Sequence, residues 1–305
     1  MLLAAKLTNC PPIVITRTPE QSHAICEQGI ELFEQGVHRR RRVRAYSTEA
    51  YIQQLETGQL GPVDVALLTV KQAHIDDALS ELLNKAIKPG GIVVCYQNGI
   101  GHAERLAGVL GNARVAIAIT TEGAWKTSPT SVRHTGAGWT KLGFAHSAGG
   151  DWSDSRGKLL IALEDCLKAA GFVISLSNDI TSDVWNKLIM NAIINPLTAQ
   201  YGITNGELLK SPYLLRVMRT LYEEALQVAH AVGVRVDPVL WTTILQVCER
   251  TSSNRSSMLQ DRDAGRPTEI NWLNGSLLRL AEQAGLRLPA HEWIVHAHCA
   301  SVQSR

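Results

Sequence analysis

The sequence predicts an α/β domain built on a mostly parallel sheet, followed by an all-α domain. Three observations carry the prediction. Apolar runs without interruption, such as Asp64–Val70 (DVALLTV), alternate with amphipathic segments through the first half, as in strands buried on both faces under helices. From about Ser153 onward the apolar period becomes that of a helix. The 305 residues amount to two domains at roughly 150 residues each. The expected division is 1–174 and 175–305.

Taken in order, Leu2–Leu7 (LLAAKL) reads as the middle of a helix and Pro11–Arg17 (PPIVITR) as a buried strand. Glu20–Gln28 reads as a helix closed by Gly29. Asp64–Val70 is a second strand, Ile75–Ile87 a helix, Pro89-Gly90-Gly91 a turn and Ile92–Gln97 a third strand. A strand at Arg114–Thr120, a hairpin-like stretch from Ser131 to Phe144 and a turn at Gly149-Gly150-Asp151 follow. Helices are expected over Ser153–Ala170, Asp179–Gln200, Tyr213–Val232, Val239–Glu249 and Glu269–Ala284.

Composition narrows the function classes. Apolar residues at 45% and charged ones at 19% supply a core and exclude a disordered chain. Lys and Arg number 30 against 28 Asp and Glu, a net charge of +2, which excludes a basic nucleic-acid coat. The most apolar stretch, Leu188–Leu197, is interrupted by Asn191 and Asn195 and falls short of the roughly 20 residues of a membrane span. The opening MLLAAKLTNC is too short for a secretory signal, since Lys6 interrupts it. Six cysteines without metal-ligand spacing argue against zinc and against a disulfide framework, and suit a reducing cytoplasm. The basic run His38–Arg44 (HRRRRVR) has no aromatic interleaving; a solvated strand or loop is preferred there over a nucleic-acid contact.

A nucleotide-binding α/β domain normally opens with a strand, a G-x-G-x-x-G turn and a helix. Here nothing before Met1 supplies the strand or the glycines, so Pro11–Arg17 takes the place of a second strand. Arg17 at its end favours the 2′-phosphate of NADP over the bare ribose of NAD, which usually meets an acid. Gly99–Glu104 and Gly136–Lys141 imitate the glycine pattern, but Glu104 and Lys141 occupy its third position, where close helix–strand packing needs a small residue. Neither counts as a pyrophosphate cradle.

The chemistry concentrates in the second half. Lys187, Asn191 and Asn195 stand four residues apart and form one polar line on a helix that is otherwise Leu, Ile, Val and Met. Burying such groups costs several kcal/mol unless each finds a partner, so the line suggests a site. A desolvated lysine also loses basicity, which suits acid–base work. The alternative is the solvated stripe of an amphipathic helix. Asn254 and Ser257 stand where a helix could start, a place to bind a carboxylate. Thr268 or Glu269 could equally be a capping element.

Three segments together, Asp183–Pro196 (DVWNKLIMNAIINP), Asn205-Gly206-Glu207-Leu208 and Asn254–Glu269 (NRSSMLQDRDAGRPTE), resemble the ketopantoate reductase family. Val70-Lys71, Gln97–Gly101 and His134–Gly138 match it in the first domain. The resemblance covers essentially the whole chain; the departure is the family's first strand and glycine turn, roughly a dozen residues. It implies a Rossmann-like first domain lacking that strand, and an all-α domain resembling the 6-phosphogluconate dehydrogenase C-terminal domain. It implies reduction of 2-dehydropantoate to (R)-pantoate with NADP(H), in cytoplasmic pantothenate and coenzyme A synthesis. Lys187 is then the general acid. Asn98, Lys187, Asn191, Asn195, Asn205, Asn254 and Ser257 would bind substrate. Arg17, Lys71, Asn98, Ala124 and Glu269 would bind cofactor. No metal, nucleic acid or membrane is expected, and a homodimer is left open. Without its first strand and glycine turn, the chain is expected to bind NADPH at least about tenfold more weakly than a form that has them. Two alternatives stay open: a non-catalytic ligand-binding paralogue, and a dehydrogenase of another small 2-oxo or 3-hydroxy acid.

Overall fold

The computed structural model describes residues 1–111, 114–144 and 152–303. It divides into two compact units, Met1–Gln97 with Ala103–Ile180, and Asn98–His102 with the chain from Thr181 onward. The turn expected at Gly149-Gly150-Asp151 lies outside the described residues.

The first unit runs α1 (Leu2–Lys6), β1 (Ile13–Thr16), α2 (Pro19–Gln28), β2 (Ile30–Glu34), β3 (Val37–Arg41), β4 (Arg44–Ser47), α3 (Thr48–Glu56), β5 (Val63–Leu68), α4 (Asp77–Ala86) and β6 (Ile87–Cys95). It continues with α5 (His102–Leu110), β7 (Val115–Thr120), β8 (Gly123–Lys126), β9 (Ser131–Gly136), β10 (Trp139–Phe144), α6 (Ser155–Ala169) and β11 (Val173–Leu176). Its three sheets have the orders β1-β4, β11-β10-β7-β6-β5 and β3-β2-β9-β8. Strands β5, β6 and β7 are parallel, and β10 runs antiparallel to β7. The helices start where the sequence provides caps. Thr18 Oγ1 accepts from Gln21 N at 3.3 Å and Asp76 Oδ1 from Leu79 N at 2.8 Å. Gly29, at φ 75°, closes α2, and a Cβ there would stand 2.6 Å from Arg41 O, so only glycine fits. Ile25, Ile30, Ile92, Val94, Ala116, Leu142, Leu160 and Leu167 form the heart of the core.

Four expectations need correction. Ser131–Phe144 is not a hairpin: β9 pairs with β2 and β8, whereas β10 pairs with β7 and β11. The short link Ala137-Gly138 passes the chain between sheets, and a Cβ on Gly138 would stand 2.5 Å from Thr121 backbone. Pro89-Gly90-Gly91 does not end an element; it is absorbed into β6 as an irregularity, the register to β5 jumping from Val63↔Ile87 to Val65↔Ile92. Residues 30–56, given no element beyond a solvated strand or loop at His38–Arg44, hold β2, β3, β4 and α3. Finally, Cys10 and Cys166 form a disulfide. Spacing could not reveal it, because the partners are 156 residues apart and meet only when the segment after α1 reaches α6. The remaining thiols, Cys26, Cys95, Cys248 and Cys299, are free.

The basic run is the exposed edge strand β3. Arg40 Nη2 donates to Glu31 Oε1 at 2.5 Å and Arg41 Nη2 to Thr8 O at 3.1 Å. Beneath that sheet, Glu34 Oε1 takes Lys6 Nζ at 2.9 Å and His134 Nδ1 at 2.6 Å, and His134 Nε2 meets Glu122 Oε2 at 2.6 Å.

The second unit is helical: α7 (Ile180–Tyr201), α8 (Asn205–Leu208), α9 (Pro212–Ala231), α10 (Leu240–Arg250), α11 (Ser257–Asp263), α12 (Asn274–Gln283) and α13 (Pro289–Gln303). Ile189, Ile193, Leu197, Met218, Leu221, Ile244, Leu259 and Leu277 are fully enclosed in its core. The helix expected over Glu269–Ala284 is broken. A 3-10 turn, Ile270–Trp272, comes first, Leu273 departs to φ −100° and ψ −89°, and α12 restarts at Asn274. Leu273 is wholly buried, so its packing overrides the continuous helical period. No helix among the described residues is long and apolar enough to cross a membrane.

Candidate active site

Helix α7 carries the polar line. Lys187, Asn191 and Asn195 fall on successive turns, spanning about 12 Å at 1.5 Å per residue. Asn195 is buried, while Lys187 and Asn191 are partly buried, so the line is not a solvated stripe. Desolvation pushes the Lys187 ammonium down to about 8, and the carboxylate of Glu269 opposes that fall. Glu269, just before the 3-10 turn, also accepts from Asn98 Nδ2 at 3.0 Å. Three residues distant in sequence are thereby brought together: Lys187, Glu269 and Asn98.

Asn205, Asn254 and Ser257 gather by a second set of contacts. Asn205 N donates to Asn254 O at 3.0 Å, and Gly206 N to Ser252 O at 3.0 Å. A Cβ on Gly206 would stand 2.5 Å from Ser252 Cβ, so the glycine permits the approach. Asn205 Nδ2 donates to Thr251 Oγ1 at 2.8 Å, while its buried Oδ1 has no partner among the described residues. Ser256, not Asn254 or Ser257, caps α11, accepting from Leu259 N at 3.1 Å. Ser256 Oγ also accepts from Thr198 Oγ1 at 2.7 Å, tying this loop to α7. Neither Thr268 nor Glu269 makes a side-chain cap: Thr268 Oγ1 lies 2.8 Å from His298 Nε2, and the 3-10 turn after Glu269 has no side-chain cap bond.

The cofactor residues of the first unit do not all converge. Arg17 lies just beyond β1, with Nη1 at 3.2 Å from both ring nitrogens of His74. Lys71 follows β5 and opens the turn that holds His74. Arg17 and Lys71 are exposed cations at the carboxyl ends of parallel strands, the position where α/β sheets bind nucleotides. Ala124 stands elsewhere, on β8 opposite His134. Strands β1 and β5 each have one edge without a strand partner among the described residues. Gly99 and Gly101, at φ 82° and 99°, shape the turn into α5, but Ile100 between them packs into the helical core. The residues present therefore suit the phosphate at the adenosine end, and no pyrophosphate cradle stands among the described residues.

Sequence reasoning missed Thr198 and Ser256, whose hydroxyls join α7 to the substrate loop. It also missed Asn274, fully buried and bonded to Ala192 O at 2.8 Å. Each reads in sequence as an ordinary polar residue within or beside a helix.

A partly parallel α/β unit and a helical unit that carries a desolvated lysine and a carboxylate are the parts of a two-domain oxidoreductase. The description "Ketopantoate reductase PanE/ApbA" matches residues 1–147, and its C-terminal counterpart matches residues 179–299; the chain belongs to the ketopantoate reductase family. A 2-dehydropantoate 2-reductase from Bacillus subtilis is 33% identical over 90% of this chain and 84% of its own length. One from Archaeoglobus fulgidus is 33% identical over 75% and 74%. A solved PanE/ApbA family ketopantoate reductase from Ralstonia eutropha superposes with a TM-score of 0.82 at 26% identity, over 99% of this chain and 94% of that one. The family's cofactor is NADP(H).

Proposed function

We propose that this chain reduces 2-dehydropantoate to (R)-pantoate with NADPH, Lys187 giving the proton. The observation that carries the reading is the Lys187 ammonium, whose acidity is raised by desolvation while the Glu269 carboxylate supports its charge. With a pKa near 8 it is mostly protonated at neutral pH and is a stronger acid than an ordinary lysine. Bound NADPH supplies the hydride. As the ketone carbon gains it, the carbonyl π pair moves to oxygen, and that oxygen takes the proton from Lys187 Nζ. The ammonium placed there beforehand stabilises the developing alkoxide.

Asn98, Asn191, Asn195, Asn205, Asn254 and Ser257 bind the substrate's hydroxyl and carboxylate groups. The unpartnered, buried Oδ1 of Asn205 is an acceptor suited to a hydroxyl. Arg17 and Lys71 hold the phosphate of the adenosine end, Asn98 and Glu269 the ribose and nicotinamide side, and Ala124 contributes backbone. A cytoplasmic place in pantothenate and coenzyme A synthesis belongs to this reading. The test follows NADPH absorbance in the purified protein with 2-dehydropantoate and a panel of other 2-oxo acids. Substrate-dependent oxidation strongest with 2-dehydropantoate is expected. Faster turnover of another 2-oxo acid, or none at all, overturns the assignment.

A further inference from the structure

The structure assigns to Asn274 the task of completing helix α7 at its internal proline, thereby fixing Asn195 relative to Lys187 and Asn191. Its consequence for turnover rests on the reductase reading above; its consequence for the helix does not.

Pro196 lies inside α7. It has no N–H, so the carbonyl four residues earlier, that of Ala192, loses its helical donor. Ala192 is completely buried, and water cannot replace the donor. Asn274 Nδ2 does so at 2.8 Å. The amide's second hydrogen faces His291 Nδ1 at 3.1 Å, and His291 Nε2 lies 3.1 Å from Leu221 O. One proton arrangement satisfies this chain: a neutral imidazole donating from Nε2 and accepting at Nδ1. The opposite amide orientation would set Oδ1 against the Ala192 carbonyl oxygen. Burial pushes His291 down to about 4, which keeps the ring neutral. Glu224 holds the start of α13 in place, its two oxygens accepting from Ala290 N at 2.9 Å and His291 N at 3.1 Å.

Lys187 and Asn191 precede the turn from Ala192 to Pro196 and Asn195 lies within it, so the Asn274 bond satisfies the carbonyl the proline leaves without its helical donor and holds that turn against α12. It also fastens to α7 the segment that carries Glu269, five residues before Asn274. Asn274 is a positioning residue; it acts through α7 and touches neither substrate nor cofactor.

The experiment compares Asn274→Leu, Pro196→Ala and the double variant. Pro196→Ala gives Ala192 O a backbone donor of its own, so it makes Asn274 dispensable. Asn274→Leu is expected to speed amide exchange in the middle of α7. It should also lower kcat/KM at least about tenfold, mainly through KM for the 2-oxo acid. The double variant should recover to within about threefold of Pro196→Ala, the sign of coupling between the two sites. A double variant as impaired as Asn274→Leu, or an Asn274→Leu protein with unaltered exchange and KM, overturns the proposal. If Asn274→Leu does not fold, a folded double variant supports it and an unfolded one overturns it. If the parent protein turns over no 2-oxo acid, the reductase reading fails, and exchange and urea unfolding of the same three variants still decide the role of Asn274.

Discussion

Asn98 donates to Glu269 Oε2 at 3.0 Å across 171 positions of sequence, and that same carboxylate supports the charge of Lys187. Asn98, in the short segment 98–102 that belongs to the helical unit, thus meets the carboxylate that supports the charge of a lysine on α7. Glu269 is engaged by a neutral amide, so its negative charge is not cancelled and remains available to the ammonium. Burial lowers the pKa of Lys187 and the Glu269 charge opposes the fall, so the value settles near 8.

Lys187→Ala is expected to lower reductive turnover by about 10²–10⁴-fold, the usual worth of general acid catalysis. NADPH binding, measured by titration calorimetry, should remain. An undiminished rate would remove Lys187 from the mechanism.

The pH profile follows from the same group. Reduction needs the protonated lysine, so kcat should fall as pH rises through about 8. Glu269→Gln removes the charge that holds this value up, and the alkaline limb should move to lower pH. A limb that stays in place, or moves upward, would show that Glu269 does not act on Lys187 electrostatically.

Stability should carry the opposite signature. The folded pKa of Lys187, about 8, lies below the ordinary value of 10.5. Between those values the unfolded chain binds more protons than the folded one, so stability rises with pH across that window. Below pH 8 the full cost of burying the ammonium is present. Lys187→Met should therefore be more stable than the parent at pH 7, by roughly 1–3 kcal/mol, and should lose the rise between pH 8 and 10.5. Urea unfolding at several pH values measures both. A less stable Lys187→Met protein would mean that the ammonium is better solvated than its surroundings indicate.

What sequence could reveal here follows from how local each cause is. Helix α7 was legible because its apolar stretch is too long for a strand, and Lys187, Asn191 and Asn195 interrupt it at four-residue intervals. Strand β7 was legible because a run buried on both faces is apolar throughout; β1 and β5 were legible as apolar runs although Ile15 and Asp64 face solvent. The separation of β9 from β10 was not, since two short strands joined by Ala137-Gly138 look like a hairpin until their partners β2 and β7 are known. The Cys10–Cys166 bond and the Asn274–Ala192 bond are likewise products of distant chain segments meeting. Asn98 and Asn205 carried no physical signal of their own and the family resemblance singled them out; Asn254 was noticed as a helix-start residue, and Asn205 N bonding to Asn254 O gives those two a common place.

Cofactor choice is expected to turn on Arg17. Its guanidinium stands just past the end of β1, exposed, and held 3.2 Å from the His74 ring. That contact ties the cation to the turn that Lys71 opens after β5, where Lys71 adds a second positive charge. An acid at the Arg17 position would favour an unmodified ribose, whereas a cation there favours a 2′-phosphate. A charge-assisted hydrogen bond of this kind contributes about 1.5–3 kcal/mol, or tenfold and more in affinity. Arg17→Ala should therefore weaken NADPH by at least about tenfold while changing NADH by less than about threefold. Parallel calorimetric titrations of both nucleotides into the parent and variant decide it. An equal loss for NADH and NADPH would mean that Arg17 supports the nucleotide site through His74 or the backbone and does not read the 2′-phosphate.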